Sequence, residues 1–202
     1  DQRSQRLTAL NRFTTTLTRS LDTDQIMTAT ADELLQGLSA SRVSIVTFER
    51  GQNLWRYTAP RIRAKLPRVL PEAPIFNRLR ESQGVFNTDD VRTEPDLTSV
   101  LEMLGENARA LLILPLASGG ILNALVFVQL VGENRFGINE LEVARTITNQ
   151  ASIALENARL YQSSVRMADR FAVLNETSSL VSASLNPEEV YVSVHNAAGR
   201  LM

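Results

Sequence analysis

From Asn139 to Leu185 the chain runs for 47 residues without a proline or a glycine. These are the two residues that most readily end or kink a helix, so their absence predicts one very long helix. A stripe of Ala144, Ile147, Ala151, Ala154, Ala158, Tyr161, Val165, Ala168 and Ala172 runs along it at alternating spacings of three and four, the seam pattern of paired helices. The alanine-rich first half suits close packing on a sheet or a partner helix. The larger side chains from Leu160 onward suit a two-stranded seam. At about 1.5 Å per residue such a helix reaches about 70 Å, more than a compact domain of this size needs. It is therefore expected to pair with a second copy, in parallel. A kink near Ser163 and Ser164 that folds both halves back is the alternative.

The two ends of the chain echo one another. A shift of 164 residues lays Leu7–Leu38 on Phe171–Met202 without a gap. Identity is confined to Leu10/Leu174, Asn11/Asn175, Ser20/Ser184 and Leu21/Leu185, but size and polarity stay in register at Leu17/Val181, Asp22/Asn186, Asp24/Glu188 and Ile26/Val190. Asp22 and Asn186 are good helix N-caps, followed three residues later by Gln25 or Glu189, and Pro187 suits a first helical position. Each copy thus reads as helix, break, helix. Leu7, Leu10, Leu17 and Leu21 in the first copy, and Phe171, Leu174 and Val181 in the second, make the same apolar stripe. The expected organisation is an N-terminal helix over 1–21, a domain over 22–160, and a linker helix opening a truncated second repeat over 161–202. Two unrelated amphipathic helix pairs give the same pattern, and that alternative stands.

Composition removes most chemistry. The chain has no cysteine, which excludes disulfides, thiolate metal sites and cysteine nucleophiles. One histidine, His195, supplies neither a multi-histidine metal site nor a familiar triad. The nine glycines form no phosphate loop. No metal site and no catalytic residues are expected, and the chain is not expected to be an enzyme. A net charge of −1 attracts neither nucleic acid nor an anionic membrane. No targeting signal opens the sequence, which starts at Asp1 and looks cut from something larger; the cytoplasm is the expected compartment.

Ala110–Leu130 carries no charge over 21 residues, long enough to cross a bilayer as a helix. Pro115, Gly119 and Gly120 break it where a hairpin would turn, so two buried strands, Ala110–Leu116 and Ile121–Val131, are expected instead. Arg42–Glu49 and Leu54–Thr58 form a second hairpin around Gly51, and Val85–Asn87 a short strand. Helices fit Thr23–Gly37, Ile75–Ser82 and Leu97–Gly105. The fold class is α+β, an antiparallel sheet flanked by helices.

With these elements placed, the chain resembles a GAF domain over roughly Asp22 to Leu160. The run FGINELEVARTITNQASIALENARLY, Phe136–Tyr161, resembles the closing helix of that family; Ala110–Leu116 followed by Gly119-Gly120 resembles its central hairpin; Ser82–Asp90 resembles the loop and strand before its pocket helix. The resemblance implies a regulatory sensory module that binds a non-covalent small molecule or a partner. It implies transmission through dimeric helices to an output domain, such as a histidine kinase of a two-component system or a nucleotide cyclase. A ligand-free dimerisation spacer is the rival. Where cyclic-nucleotide-binding members carry an Asn-Lys/Phe/Asp-Glu set, this chain has Asn134-Arg135-Phe136 and Asn139-Glu140, which counts against that ligand. Gly137, where the family has Ser or Thr, still serves as a cap with Glu140 three residues on.

A small-molecule site is expected among Phe48, Trp55, Tyr57, Phe76, Asp90 and Arg109. Trp55 and Tyr57, two apart on a strand, are expected to face the same side and either close over a planar ligand or pack in the core. Arg109, the charge beside the buried hairpin, needs an anionic partner, which Asp90 or a ligand carboxylate provides. Asp89 and Asp90 also suit turn caps. Between Glu49 and Glu72, Arg50, Arg56, Arg61, Arg63, Lys65 and Arg68 meet no acid; they form either an anion-attracting rim or a solvated loop.

Overall fold

The computed structural model describes residues 17, 20–49, 51–60, 69–105, 107–132 and 135–184, with side-chain surroundings up to 175. Leu7, Leu10, the side chain of Val181 and the second repeat from residue 185 onward lie outside the described residues, as do four cations of the 50–68 run, Arg61, Arg63, Lys65 and Arg68, and with them Arg50. The chain divides into two units, residues 1–159 and 160–202.

In the first unit, α1 (Thr23–Gly37) opens at Asp22, whose carboxylate accepts the Asp24 amide at 2.9 Å, a side-chain cap for one of the orphan N–H groups. Then come β1 (Arg42–Glu49), β2 (Gln52–Ala59), β3 (Val69–Leu70), α2 (Pro74–Ser82), β4 (Phe86–Thr88), 3₁₀ turns over Val91–Thr93 and Pro95–Val100, α3 (Leu101–Leu104), β5 (Ala108–Ser118), β6 (Ile121–Val131) and α4 (Ile138–Ser184). The strands form one six-stranded sheet in the order β3-β2-β1-β6-β5-β4, and the pairings are antiparallel. The α+β expectation holds.

The uncharged stretch is the β5–β6 hairpin, in the middle of the sheet. Ser118 pairs with Ile121, so the loop is Gly119-Gly120 alone, both with positive φ (55° and 76°). A primed two-residue turn requires that backbone, and glycine adopts it without a Cβ clash. Neither strand alternates in polarity because helices cover both faces. On one face Ile26, Leu34, Val43, Ile45, Leu112 and Val128 pack with Ala144, Ile147, Ala151, Ala154 and Ala158 of α4. The alanines let that helix lie close to the sheet. On the other face Val46, Trp55, Leu111, Ile113 and Phe127 pack under Phe76 and Leu79 of α2 and Leu97, Met103 and Leu104 of the 3₁₀–α3 segment.

The end of α4 closest to the sheet starts at Gly137, whose carbonyl accepts the Leu141 amide at 3.1 Å. The Glu140 carboxylate folds back to 2.7 Å from where a Cβ on Gly137 would sit. Leu17, expected in the helical seam, is buried in the domain's own core, whereas Leu21 is exposed. In the second unit, α4 is helical to Ser184, and Leu160, Tyr161, Val165, Met167, Phe171 and Leu174 are all exposed.

Candidate functional site

The expected site residues separate into three places. Phe76 is fully buried and meets Phe48 and Phe127 edge to face, with ring centroids 6.3 and 6.2 Å away, the favoured geometry for stacked quadrupoles. The Arg80 guanidinium lies 4.5 Å over the Phe48 ring and donates to Glu72 at 2.8 Å. Glu72 also accepts from Asn53 at 2.7 Å. Those bonds, Asn53 first, hold the Glu72 carboxyl below its ordinary value. This group clamps α2 to the sheet.

Trp55 shares that layer, but Tyr57 does not. The β1–β2 register places Val46 opposite Trp55 and Ile45 opposite Tyr57, so Arg56 is an extra residue in the ladder. One inserted residue sends the next side chain to the opposite face. The expectation that both rings face one side is thereby corrected. Tyr57 packs with the α1–α4 layer and its hydroxyl donates to Asp24 at the start of α1. Burial, and then that bond to a carboxylate, raise its ionisation above the ordinary value. Trp55 Nε1 donates to the Tyr57 carbonyl at 3.1 Å and to the Thr58 hydroxyl.

Asp90 and Arg109 do meet, at 2.9 Å. The other Asp90 oxygen accepts the Arg92 amide at 3.0 Å and caps the Val91–Thr93 turn. Their side chains remain 30% and 42% exposed, so the pair sits at the surface, where an ion pair contributes about 0–1 kcal/mol. Asp89 pairs with Arg135 at 3.3 Å. Arg56 pairs with Glu49 on the β1–β2 hairpin.

Beside the Asp90–Arg109 pair opens a cleft of about 480 Å³ lined by Val91, Arg92, Leu101, Glu102, Gly105 and Ala108, within the size range of small-molecule sites. Each member of the ion pair is the chain neighbour of a lining residue. At Gly105 the backbone takes φ +86° and ψ 156°, a region all but closed to other residues. A Cβ there would stand 3.7 Å from Arg42 Nη1. Arg42, half-buried at the start of β1, donates from Nη1 to the Leu104 and Met103 carbonyls at 3.2 and 3.4 Å. Opposite Arg42 in the β1–β6 register is Gln129, 3% exposed, with an Nε2 that has no hydrogen-bond partner among the described residues. Arg42 and Gln129 were not among the expected site residues. The signal for Gln129 was present: it is the one polar residue in the run ALVFVQLV. Among the described residues no cluster of His, Cys, Asp or Glu could hold a metal ion, and no helix is long and apolar enough to cross a membrane.

An antiparallel sheet with a helical layer on each face and a side cleft defines an α+β module. The GAF domain model matches residues 20–156, and the chain belongs to the GAF domain family, whose members are sensory and regulatory modules of signalling proteins. No curated protein sequence matches the chain. Among solved structures it is similar to residues 122 to 287 of a methyl-accepting chemotaxis protein (TM-score 0.64, 17% identity, 74% of this chain and 98% of that one). It is also similar to the GAF domain of a phosphoenolpyruvate-protein phosphotransferase from Coxiella burnetii (TM-score 0.64, 17% identity, 78% and 96%). A third likeness is to a GAF domain/HD domain protein from Geobacter sulfurreducens (TM-score 0.61, 16% identity, 73% and 98%). At these identities the likeness is one of fold.

Proposed function

We propose that this GAF domain senses a small molecule and passes the signal along α4, through a parallel homodimer, to an output domain such as a histidine kinase or a nucleotide cyclase in the cytoplasm. One observation carries the reading. The stripe that is buried on the sheet at Ala144, Ile147, Ala151, Ala154 and Ala158 continues at the same spacing as exposed Tyr161 and Val165. Large apolar side chains at heptad spacing on an exposed helix fit a two-stranded seam. In this reading residues 161–202 are the linker helix and the opening of a second repeat. The spacer reading has an observation of its own: Phe76 and Trp55, expected to line a pocket, are packed in the core.

The test uses the absence of cysteine. Val165→Cys creates the sole thiol, and in a parallel in-register dimer it faces its own copy across the seam. Rapid oxidative cross-linking at Val165→Cys, with little at the neighbouring Arg166→Cys, is the expected result. A chain that stays monomeric on sedimentation at all accessible concentrations refutes the dimer. A small molecule retained in native mass spectra separates sensor from spacer.

A further inference from the structure

We infer that the cleft beside α3 receives a small organic monocarboxylate whose acid group is taken by the Arg42 guanidinium and the Gln129 amide. The inference rests on the sensory reading above and gives its ligand a chemistry. Two donors without a matching acceptor carry it. Arg42 has five N–H groups to offer, and among the described residues its hydrogen bonds leave from Nη1 to neutral carbonyls of α3. Among the described residues no carboxylate pairs with it. Nothing among the described residues accepts from the Nε and Nη2 edge, the fork that binds a carboxylate in two parallel hydrogen bonds. Gln129 stands across the β1–β6 ladder from it. Strand alternation puts both on the face shared with Val46, Leu111 and Phe127. A buried amide N–H without a partner costs free energy that an acceptor would recover.

Arg42 joins these donors to the cleft, since its guanidinium stands against Gly105, which forms part of the wall. The rest of the lining selects among anions. Val91, Leu101 and Ala108 offer an apolar surface to the body of the ligand, and the charges of Arg92 and Glu102 in the wall offset one another, so the lining adds no net positive charge for a second negative group. A monocarboxylate with an apolar body fits this set better than a phosphate dianion. Asp90 pairs with Arg109 at the rim, and Arg92 in the wall has an interaction of its own. Among the described residues the hydrogen bonds of Arg42 go only to neutral carbonyls, and it is the cation assigned to the acid.

The test is a titration of the full chain with sodium benzoate, followed by ¹H–¹⁵N NMR of side-chain amides and guanidinium Nε–H groups. The Gln129 resonances are identified by their loss in Gln129→Met. Saturable shifts at Gln129 and Arg42 with benzoate, absent with the neutral isostere benzamide, are expected. Arg42→Gln is expected to weaken the response by about tenfold or more, as loss of a bidentate charged contact does. If that variant does not fold, the wild-type comparison of benzoate with benzamide decides alone. No saturable shift with benzoate, or equal response to benzamide, overturns the proposal. A different molecule retained in native mass spectra, with no benzoate response, overturns this ligand chemistry and leaves the sensory reading standing. Failure of Val165→Cys to cross-link strikes the reading itself, whatever benzoate does.

Discussion

Replacing Gln129 by methionine should make the unliganded domain more stable. The side chain is 3% exposed and its amide nitrogen has no partner. Leaving such a donor buried costs about 1–3 kcal/mol relative to leaving it in water. Methionine keeps the unbranched stem and nearly the same volume, and its thioether demands no hydrogen bond. A near-isosteric swap in a packed layer costs less than about 1.5 kcal/mol, so the two terms leave a net gain of about 1 kcal/mol. For a domain of this size that corresponds to about 2–4 °C in Tm. The assay is urea unfolding read by fluorescence of Trp55, the chain's one tryptophan, which is buried in the same layer as Phe76 and Phe127. An unchanged m-value with a higher midpoint is the expected result. A midpoint lowered by the equivalent of 1 kcal/mol or more would mean that the amide is well satisfied, and the case for an acceptor from outside would lose its main support. The same variant should lose benzoate binding, so stability and binding move in opposite directions, as they do where a site retains a strained group for function.

Phe76→Ala removes a fully buried ring held between two others and should destabilise the domain by about 3–5 kcal/mol, read as a lower urea midpoint; a loss under 1 kcal/mol would refute its place in the core. Glu72 has its carboxyl held below the ordinary 4.5 by Asn53 and then Arg80. Its contribution is therefore fully present above that pH and fades as pH falls through the lowered folded value. The urea midpoints of wild type and Glu72→Gln should differ near neutrality and converge in acid; a constant gap from pH 7 to about 3 would contradict this linkage.

Elements marked by local chemistry were legible in the sequence. Helix α1 runs over Thr23–Gly37 as expected, because Asp22 caps it. The β5–β6 hairpin was readable from Gly119-Gly120 between two apolar runs. The segment 91–104 was less so: the expected helix over Leu97–Gly105 is the end of a 3₁₀ turn, Pro95–Val100, followed by the four-residue α3, since its short apolar spacings fit either geometry, and the Val91–Thr93 turn before it was not expected. β3 has two residues and no pattern to detect. Tyr57 was misplaced because period-two counting assumes an unbroken ladder, and the extra residue at Arg56 is set by pairing with β1, not by anything in β2 itself. The pairing of Asp90 with Arg109 was legible from charges flanking apolar strands. Gln129 stood out as the polar residue in ALVFVQLV, but its pairing with Arg42 is register across β1 and β6, information that exists only once the sheet has formed.

In the proposed sensory reading, that same register offers a route from cleft to helix. Arg42 and Gln129 point to the cleft layer, and their chain neighbours Val43 and Val128 point to the opposite face, where they pack in one cluster with Ala144, Ile147 and Ala151 of α4. Val43 and Val128 are themselves paired in the β1–β6 ladder. Any shift of these two strands that lets Arg42 and Gln129 close on an acid group is therefore felt one residue away, beneath α4. Alanine contacts are short and leave little slack, so in that reading the helix follows the strands by sliding or turning rather than by repacking long side chains. A ligand biases that movement only as far as it binds one arrangement of Arg42 and Gln129 better than another. An anion held by a guanidinium fork has the directional preference this requires, since it weakens steeply when the fork is turned away. An apolar ligand resting on Val91 and Leu101 alone would occupy the cleft and leave the strands, and hence α4, where they were.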